Sequence, residues 1–138
     1  MVISKMTMKI NQIPYEFRMM RGNWGFEYEN LANKKTKDFK PEENSRIAYA
    51  FAHKVRQAGR KNIDKALKKQ FGRFDLYWAP AKIGSMEFTV VFARKRNGVI
   101  YDFIGYGIYW HDRWTKKKRC QIQYHSDLAR RNKIYVGC

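Results

Sequence analysis

The chain has 138 residues, of which 44% are hydrophobic and 16% aromatic, so it can bury enough apolar area to fold. This composition excludes a disordered tail or linker, and the length suits one domain rather than two. The 29 Lys/Arg against 12 Asp/Glu give a formal net charge of +17. Such a surplus opposes a compact state and favours an anionic partner. We therefore expect a single basic domain over residues 1–138.

The sequence predicts neither a targeting segment nor a membrane span. Residues 1–13 alternate apolar and polar types, unlike the continuous apolar stretch of a secretory signal. The apolar runs at 88–93 and 104–110 are much shorter than the roughly 20 residues of a spanning helix. Cys120 and Cys138 lack the spacing of a zinc site or disulfide framework. Reduced thiols, a cytoplasmic location and no membrane contact are therefore expected, and the oligomeric state stays open.

The N-terminal third of the chain predicts strands and then a loop. Residues 9–30 are aromatic and strand-like, with turn-forming residues at 21–23. Residues 33–40 are polar, basic and aperiodic, which favours a loop. Pro41 and the two glutamates after it are typical of a helix start, because proline loses no needed donor there and carboxylates meet the positive end of the helix dipole.

Two apolar stripes predict a pair of helices. The first stripe consists of Ile47, Phe51 and Val55, and the second of Ile63, Leu67 and Phe71. Both have a spacing of four, but the second is rotated by about 130–160° from the first, so one straight helix could not bury both. Gly59 and Gly72 are candidate C-terminal caps. The predicted helices cover 42–58 and 61–71.

The C-terminal half predicts an antiparallel sheet. An alternating run from Phe74 is expected to stop at Pro80. Residues 86–110 are expected to form a long hairpin, because two aromatic and β-branched runs flank Asn97-Gly98, a type I′ turn sequence. The register from that turn pairs Phe92 with Phe103, Val90 with Gly105 and Phe88 with Gly107. Further strands are expected at 119–125 and 134–136, which gives an α+β fold with a helix pair packed on a mostly antiparallel sheet.

Cations interleaved with aromatic rings mark the candidate nucleic-acid-binding residues. The helices contribute Arg46, Tyr49, His53, Arg56, Arg60, Lys61, Lys65, Lys68 and Lys69, and the C-terminal segment contributes Arg113, Trp114, Lys116, Lys117, Lys118, Arg119, Arg130 and Arg131. Such a pattern suits a phosphate backbone with a base stacked on Tyr49, Trp114 or Tyr124. The alternative interpretation is an ordinary solvated surface with Trp114 folded back on the core, and the sequence favours neither.

Catalysis has less support. His111 and His125 flank a predicted hairpin loop, and two imidazoles beside Arg113 or Lys118 could cleave RNA without a metal. Metal-dependent cleavage is not indicated, because the acids are scattered along the chain. No nucleotide-binding, zinc-protease or serine-hydrolase motif occurs, so no cofactor is expected.

The leading hypothesis is a small basic protein that binds RNA or DNA through phosphate contacts and aromatic stacking. One alternative is a metal-independent endoribonuclease that uses the paired histidines. A second alternative is a basic adaptor or inhibitor that binds an acidic protein surface. The sequence decides neither the type of nucleic acid nor whether the protein is an enzyme.

Overall fold

The computed structural model describes residues 2–20, 26–43, 45–98, 100–112, 114–134 and 137. Most of them belong to two antiparallel sheets, in each of which the strands follow their order in the chain. The first sheet contains β1 (Val2–Ile10), β2 (Ile13–Met20), β3 (Phe26–Asn30) and β4 (Lys35–Phe39). The second contains β5 (Leu67–Phe71), β6 (Phe74–Ile83), β7 (Met86–Lys95), β8 (Asp102–His111) and β9 (Lys118–His125). Helix α1 (Arg46–Arg60) and a 3₁₀ turn (Ile63–Lys65) connect the sheets, and α2 (Asp127–Arg131) follows β9.

One hydrophobic core joins α1 to the inner faces of both sheets. Phe51 of α1 is fully buried at its centre. The ring centre of Phe51 lies 5.0 Å from those of Phe17 and Phe39 in the first sheet. It lies 6.0 Å from the ring centres of Phe88 and Tyr106 in the second sheet. Because the sheets pack face to face through this core, the arrangement is sandwich-like.

A second apolar cluster lies on the opposite, outer face of the second sheet. Its buried members are Phe74, Leu76, Val91, Ala93, Ile104, Ala129 and Ile134. Ala129 belongs to α2, so α2 covers one part of this outer face. The part around Pro80 and Tyr109 lines an open groove instead.

The prediction of a helix pair packed on a sheet is wrong, because the fold is mostly sheet with one long helix. Residues 61–71, expected as the second helix, form the 3₁₀ turn and the edge strand β5. A spacing of four fits a helix turn, but it is also an even number, so Leu67 and Phe71 share one face of a strand as well. Gly72, expected to cap a helix, has a φ of +58° in the turn between β5 and β6.

The hairpin of β7 and β8 is present, but its register differs from the predicted one. Phe92 pairs with Phe103. A bulge beside this pair places Gly105 opposite Val91 instead of Val90. The bulge could not be foreseen from the turn sequence, since it inserts an extra residue within a strand.

One strand forms where a loop was predicted, and another extends beyond its predicted end. Residues 33–40, expected as a loop, contain β4, which buries Phe39. β6 continues through Pro80 to Ile83. The carbonyl of Pro80 accepts a hydrogen bond of 2.8 Å from the side chain of Asn62. This backbone edge therefore faces the 3₁₀ turn rather than β7, and the missing proline N–H costs no ladder hydrogen bond.

Helix α1 begins and ends differently from its predicted form. It starts at Arg46, because the Ser45 hydroxyl accepts a hydrogen bond of 3.1 Å from the Ala48 amide and so caps the first turn. Gly59, expected as a C-terminal cap, lies inside the last turn and is buried. A Cβ atom at Gly59 would lie 2.5 Å from the Cβ atom of Val90, so glycine allows α1 to approach β7 closely.

Three expectations involve positions outside the described residues: the turn at 21–23, the end of the predicted strand 134–136, and the thiol of Cys138.

Cys120 is disulfide-bonded, so the prediction of a reduced thiol at this position is wrong. Since disulfides are typical of oxidising compartments, this cysteine does not support the cytoplasmic location, which stays a prediction.

Candidate nucleic-acid interface

Positive charge is concentrated in the part of the chain that forms α1 and the second sheet. Residues 1–45 contain eight Lys/Arg and six Asp/Glu, whereas residues 46–138 contain 21 and six, which gives net charges of +2 and +15. Three of the N-terminal acids surround Arg18 on the outer face of the first sheet, at 2.9–3.0 Å from it: Glu16, Glu27 and Glu29. An anionic partner is therefore attracted mainly to α1 and the second sheet.

An open groove of about 1070 Å³, here named the sheet groove, lies on the outer face of the second sheet. Five lysines line it: Lys65, Lys68, Lys69, Lys82 and Lys118. Its floor includes the apolar and aromatic side chains of Leu67, Trp78, Pro80 and Tyr109. Glu87 is the one carboxylate among the lining residues that the structure describes. The groove thus combines positive charge with accessible rings.

Strand pairing explains why most of these side chains share one face; Lys68, which lies opposite the core residue Tyr77, reaches the groove from the edge strand instead. Residues directly opposite each other in an antiparallel sheet point to the same side. Leu67 lies opposite Trp78, and Glu87 lies opposite both Lys82 and Tyr109. Along β6, Trp78 and Lys82 are four residues apart and so point the same way. The groove is therefore assembled from neighbouring strands rather than from one local segment.

Lys118, Glu87 and Tyr109 form one contact across three strands. The Nζ atom of Lys118 lies 2.7 Å from a carboxylate oxygen of Glu87 and 4.6 Å from the ring centre of Tyr109. The hydrogen bond from Lys118 lowers the pKa of Glu87, so this carboxyl is ionised at neutral pH. The Lys118 and Glu87 side chains are 48% and 42% exposed, so water screens the ion pair. An anionic ligand can therefore displace it.

Three of the five other acids in residues 46–138 are already paired with cations. The pairs are Asp75 with Lys68 at 3.7 Å, Asp112 with Arg119 at 2.8 Å, and Asp127 with Arg130 at 3.4 Å. Within the described part of the chain, Lys65, Lys69 and Lys82 form no ion pair. These three groove lysines are therefore available to a phosphate group.

The outer face of α1 is a second basic surface. Four of its predicted binding residues are exposed, namely Arg46, Tyr49, His53 and Arg60, and Arg56 is partly buried. The helix sequence contains no Asp or Glu. The guanidinium of Arg60 also donates a hydrogen bond of 3.2 Å to the carbonyl of Tyr101. The five predicted residues stay together on this helix, but none of them lines the sheet groove.

The loop between β8 and β9 is organised by Asp112. Its carboxylate accepts hydrogen bonds from the amides of Trp114 at 2.9 Å and Thr115 at 3.3 Å. These two bonds lower the pKa of Asp112, with a smaller contribution from Arg119. The Trp114 side chain is 87% exposed, so the interpretation that folds it back on the core is wrong. Arg113 lies outside the described residues.

The two candidate catalytic histidines are not brought together. In the antiparallel pair of β8 and β9, His111 lies opposite Lys118 at one end and His125 lies opposite Gly105 at the other. Six residue steps along β8 separate these ends, which is about 20 Å at the rise of a strand. One phosphate group cannot contact both imidazoles, so the paired-histidine mechanism has no geometric support.

The remaining predicted residues divide among several surfaces. Lys65, Lys68, Lys69 and Lys118 line the sheet groove. The others lie at the end of α1 (Lys61), in or beside the loop after β8 (Lys116, Lys117 and Arg119), and on α2 (Arg130 and Arg131). Tyr124 stacks on Phe103 at 5.6 Å, so it is already used within the fold.

The groove residues that sequence reasoning missed include Trp78, Lys82 and Tyr109. The signal for two of them was present, because Trp78 and Lys82 continue the alternation of β6 on both sides of Pro80. Because the predicted strand ended at Pro80, Trp78 and Lys82 were not recognised as residues on one face of the same strand. Tyr109 lay within a correctly expected strand region, but its neighbours depend on how the strands pair.

No known protein family, curated protein or solved structure that was compared with this chain matches it. None of the helices in the described ranges is long and apolar enough to cross a membrane. A search of the same residues found no group of three or more His, Cys, Asp or Glu side chains that could hold a metal ion. The charge and shape of the surfaces themselves are therefore what indicates a function.

Proposed function

We propose that this protein binds nucleic acid and that the sheet groove is its principal contact surface. The observation that carries the proposal is the groove itself, in which five lysines surround an apolar and aromatic floor. Lysines that contact phosphates release condensed counterions, which favours binding at low salt. Exposed rings and apolar side chains give sugars and bases a complementary surface. The net charge of +15 on residues 46–138 would steer the polyanion toward this side.

The floor of the groove favours nucleic acid over an acidic protein surface. Carboxylate side chains could satisfy the lysines, but a protein partner would also have to place apolar side chains between its carboxylates to cover Leu67, Trp78 and Tyr109. Leu67 alone is 76% exposed. A nucleic acid supplies both a row of negative charges and flat apolar surfaces, and it therefore matches the whole lining.

The test is fluorescence anisotropy with labelled RNA, single-stranded DNA and duplex DNA at low salt. The groove variant replaces Lys65, Lys69 and Lys82 with glutamine. The matched control replaces Lys35, Lys37 and Lys40, which are exposed on or beside β4 of the first sheet. Both variants remove three positive charges. Comparing them therefore separates the effect of where the lysines lie from the effect of the net charge.

We expect the groove variant to lose at least about tenfold in affinity and the control less than about threefold, because only the groove lysines contact phosphates in this proposal. Absence of any complex at low salt would refute nucleic-acid binding. Equal losses in the two variants would show that binding is diffuse and not centred on the groove.

A further inference from the structure

We infer that the sheet groove holds a single strand of nucleic acid, with bases or sugars against Trp78 and Tyr109 and phosphates on the surrounding lysines. This inference rests on the proposed function and narrows it to one class of nucleic acid. It also identifies ring contacts, besides charge, as a source of affinity.

The first reason is the chemistry of the floor. Leu67 and Pro80 are exposed, and Trp78 and Tyr109 are partly exposed, so the floor offers apolar area that a ligand can cover. In a duplex the faces of the bases are stacked on each other, and mainly phosphates and sugars reach a protein surface. A single strand presents its base faces, which stack on aromatic side chains. Only a single strand therefore uses the floor as well as the lysines.

The second reason is the position of the two rings. Trp78 lies opposite Val91, and Tyr109 lies opposite Glu87. The two rings are thus separated by four residues along β7 and two strand spacings across the sheet, which is about 16 Å between Cα atoms. Single-strand sites of about 4–16 nucleotides are long enough to span this distance. A short single strand can reach both rings.

The third reason is that the Trp78 ring is held in place and that the cation over the Tyr109 ring can be displaced by a phosphate. The indole nitrogen of Trp78 donates a hydrogen bond of 2.7 Å to the carbonyl of Gly137. The ring of Tyr109 is covered by the Lys118 ammonium, which Glu87 holds at 2.7 Å. A phosphate that binds Lys118 would draw the ammonium away from Tyr109 and leave the ring free to stack. Ordered side chains lose little conformational freedom when a base binds.

The test compares labelled oligomers of about 12 nucleotides, within the usual range of single-strand site sizes, as single strands and as a hairpin duplex. Tyr109→Ala removes the ring, and Tyr109→Phe keeps it as the matched control. If Tyr109→Ala does not fold, Tyr109→Leu retains apolar volume without the aromatic face. Circular dichroism verifies the fold of each variant.

We expect Tyr109→Ala or Tyr109→Leu to weaken single-strand binding about 5- to 100-fold, as the loss of one stacking contact does, and Tyr109→Phe to change it less than about twofold. Duplex binding should change less than about twofold in every variant. Wild-type preference for the duplex, an unchanged single-strand affinity without the ring, or equal losses on both ligands would each overturn the inference. In those cases the proposed function stands, because it fails only when groove lysines are dispensable or no nucleic acid binds.

Discussion

The Nζ atom of Lys118 lies 2.7 Å from a carboxylate oxygen of Glu87, and this ion pair joins β9 to β7 over the intervening strand β8. Tyr109, the residue of β8 directly opposite Glu87, lies beneath it. Glu87 is the only carboxylate among the described residues of the groove, and the ion pair places it beside Lys118. A bound phosphate would have to compete with Glu87 for this lysine. Glu87 is therefore expected to oppose binding, although it is part of the site.

Replacement of Glu87 by glutamine is expected to strengthen nucleic-acid binding about three- to tenfold. The substitution removes a like charge from the path of the phosphates and releases Lys118. Anisotropy titration measures the change, and Glu42→Gln is the matched control, because Glu42 is exposed and does not line the sheet groove. An equal gain in affinity for Glu42→Gln would show that the effect comes from the change in net charge and not from the position of Glu87.

The pH dependence of this effect has a defined sign. Hydrogen bonding to Lys118 lowers the pKa of Glu87, so the carboxyl stays ionised to a lower pH than an ordinary glutamate does. The advantage of Glu87→Gln over the wild type should therefore persist through the neutral and mildly acidic range. It should disappear only when the pH falls below the ordinary pKa of glutamate and the wild-type carboxyl becomes protonated. Loss of the advantage near neutral pH would contradict this assignment.

The salt dependence of binding should report how many groove lysines contact phosphates. For single strands, the slope of log K against log salt changes by about 0.7 for each phosphate contact. Removal of Lys65, Lys69 and Lys82 should therefore reduce the slope by about 2. Affinities measured over a salt series give the slopes, and the triple variant of Lys35, Lys37 and Lys40 should retain the wild-type value. A lower affinity with an unchanged slope would mean that these lysines do not contact phosphates.

The sequence predicted local elements better than their assembly. The stripe of Ile47, Phe51 and Val55 predicted α1 correctly, and Ala48, buried three residues before Phe51, adds an odd spacing that fits a helix face but not a strand face. Leu67 and Phe71 gave the wrong element, since their even spacing fits a helix and a strand equally well. Only the pairing of Leu67 with Trp78 in the second sheet decides between the two.

The candidate site was only partly predictable, for a related reason. Lys65, Lys69 and Lys118 were identified from charge alone, without evidence that they lie near each other. Their neighbourhood depends on the order of β5 to β9 in the sheet, which is set by contacts between distant segments. The separation of His111 from His125 has the same cause, because strand direction places them at opposite ends of β8 and β9.

The contact between Gly59 and Val90 predicts a reversed effect for a common stabilising substitution. Gly→Ala within a helix usually stabilises by about 1 kcal/mol. Here the new Cβ atom would lie 2.5 Å from the Cβ atom of Val90, so Gly59→Ala should destabilise the fold by about 1–3 kcal/mol through overpacking.

Urea denaturation measures the effect of Gly59→Ala, and the Val90→Gly background provides the control. With the Cβ atom and both methyl groups of residue 90 removed, the same substitution should become neutral or stabilising, because the two sites are coupled through one contact. Destabilisation of similar size in both backgrounds would show that the cost arises elsewhere than at this interface.

Arg18 should be essential to the first sheet, because it neutralises three glutamates on adjacent strands. Its side chain is 15% exposed and contacts Glu16, Glu27 and Glu29 at 2.9–3.0 Å. Arg18→Met should destabilise the protein by about 1–3 kcal/mol, less than the loss of a fully buried pair because the site is partly hydrated. The carboxylates of Glu16 and Glu29 lie on residues that face each other across β2 and β3, so their repulsion would add to the loss.

Two further variants separate this charge effect from lost packing. Lys5 lies opposite Arg18 on β1 and is exposed, so Lys5→Met should change the free energy of unfolding by less than about 0.5 kcal/mol. Adding Glu16→Gln and Glu29→Gln to Arg18→Met should restore part of the lost stability, because the uncompensated charges are then removed. Urea denaturation of all four proteins measures these differences. If the added glutamines restore nothing, the contribution of Arg18 comes from its packing and not from its ion pairs.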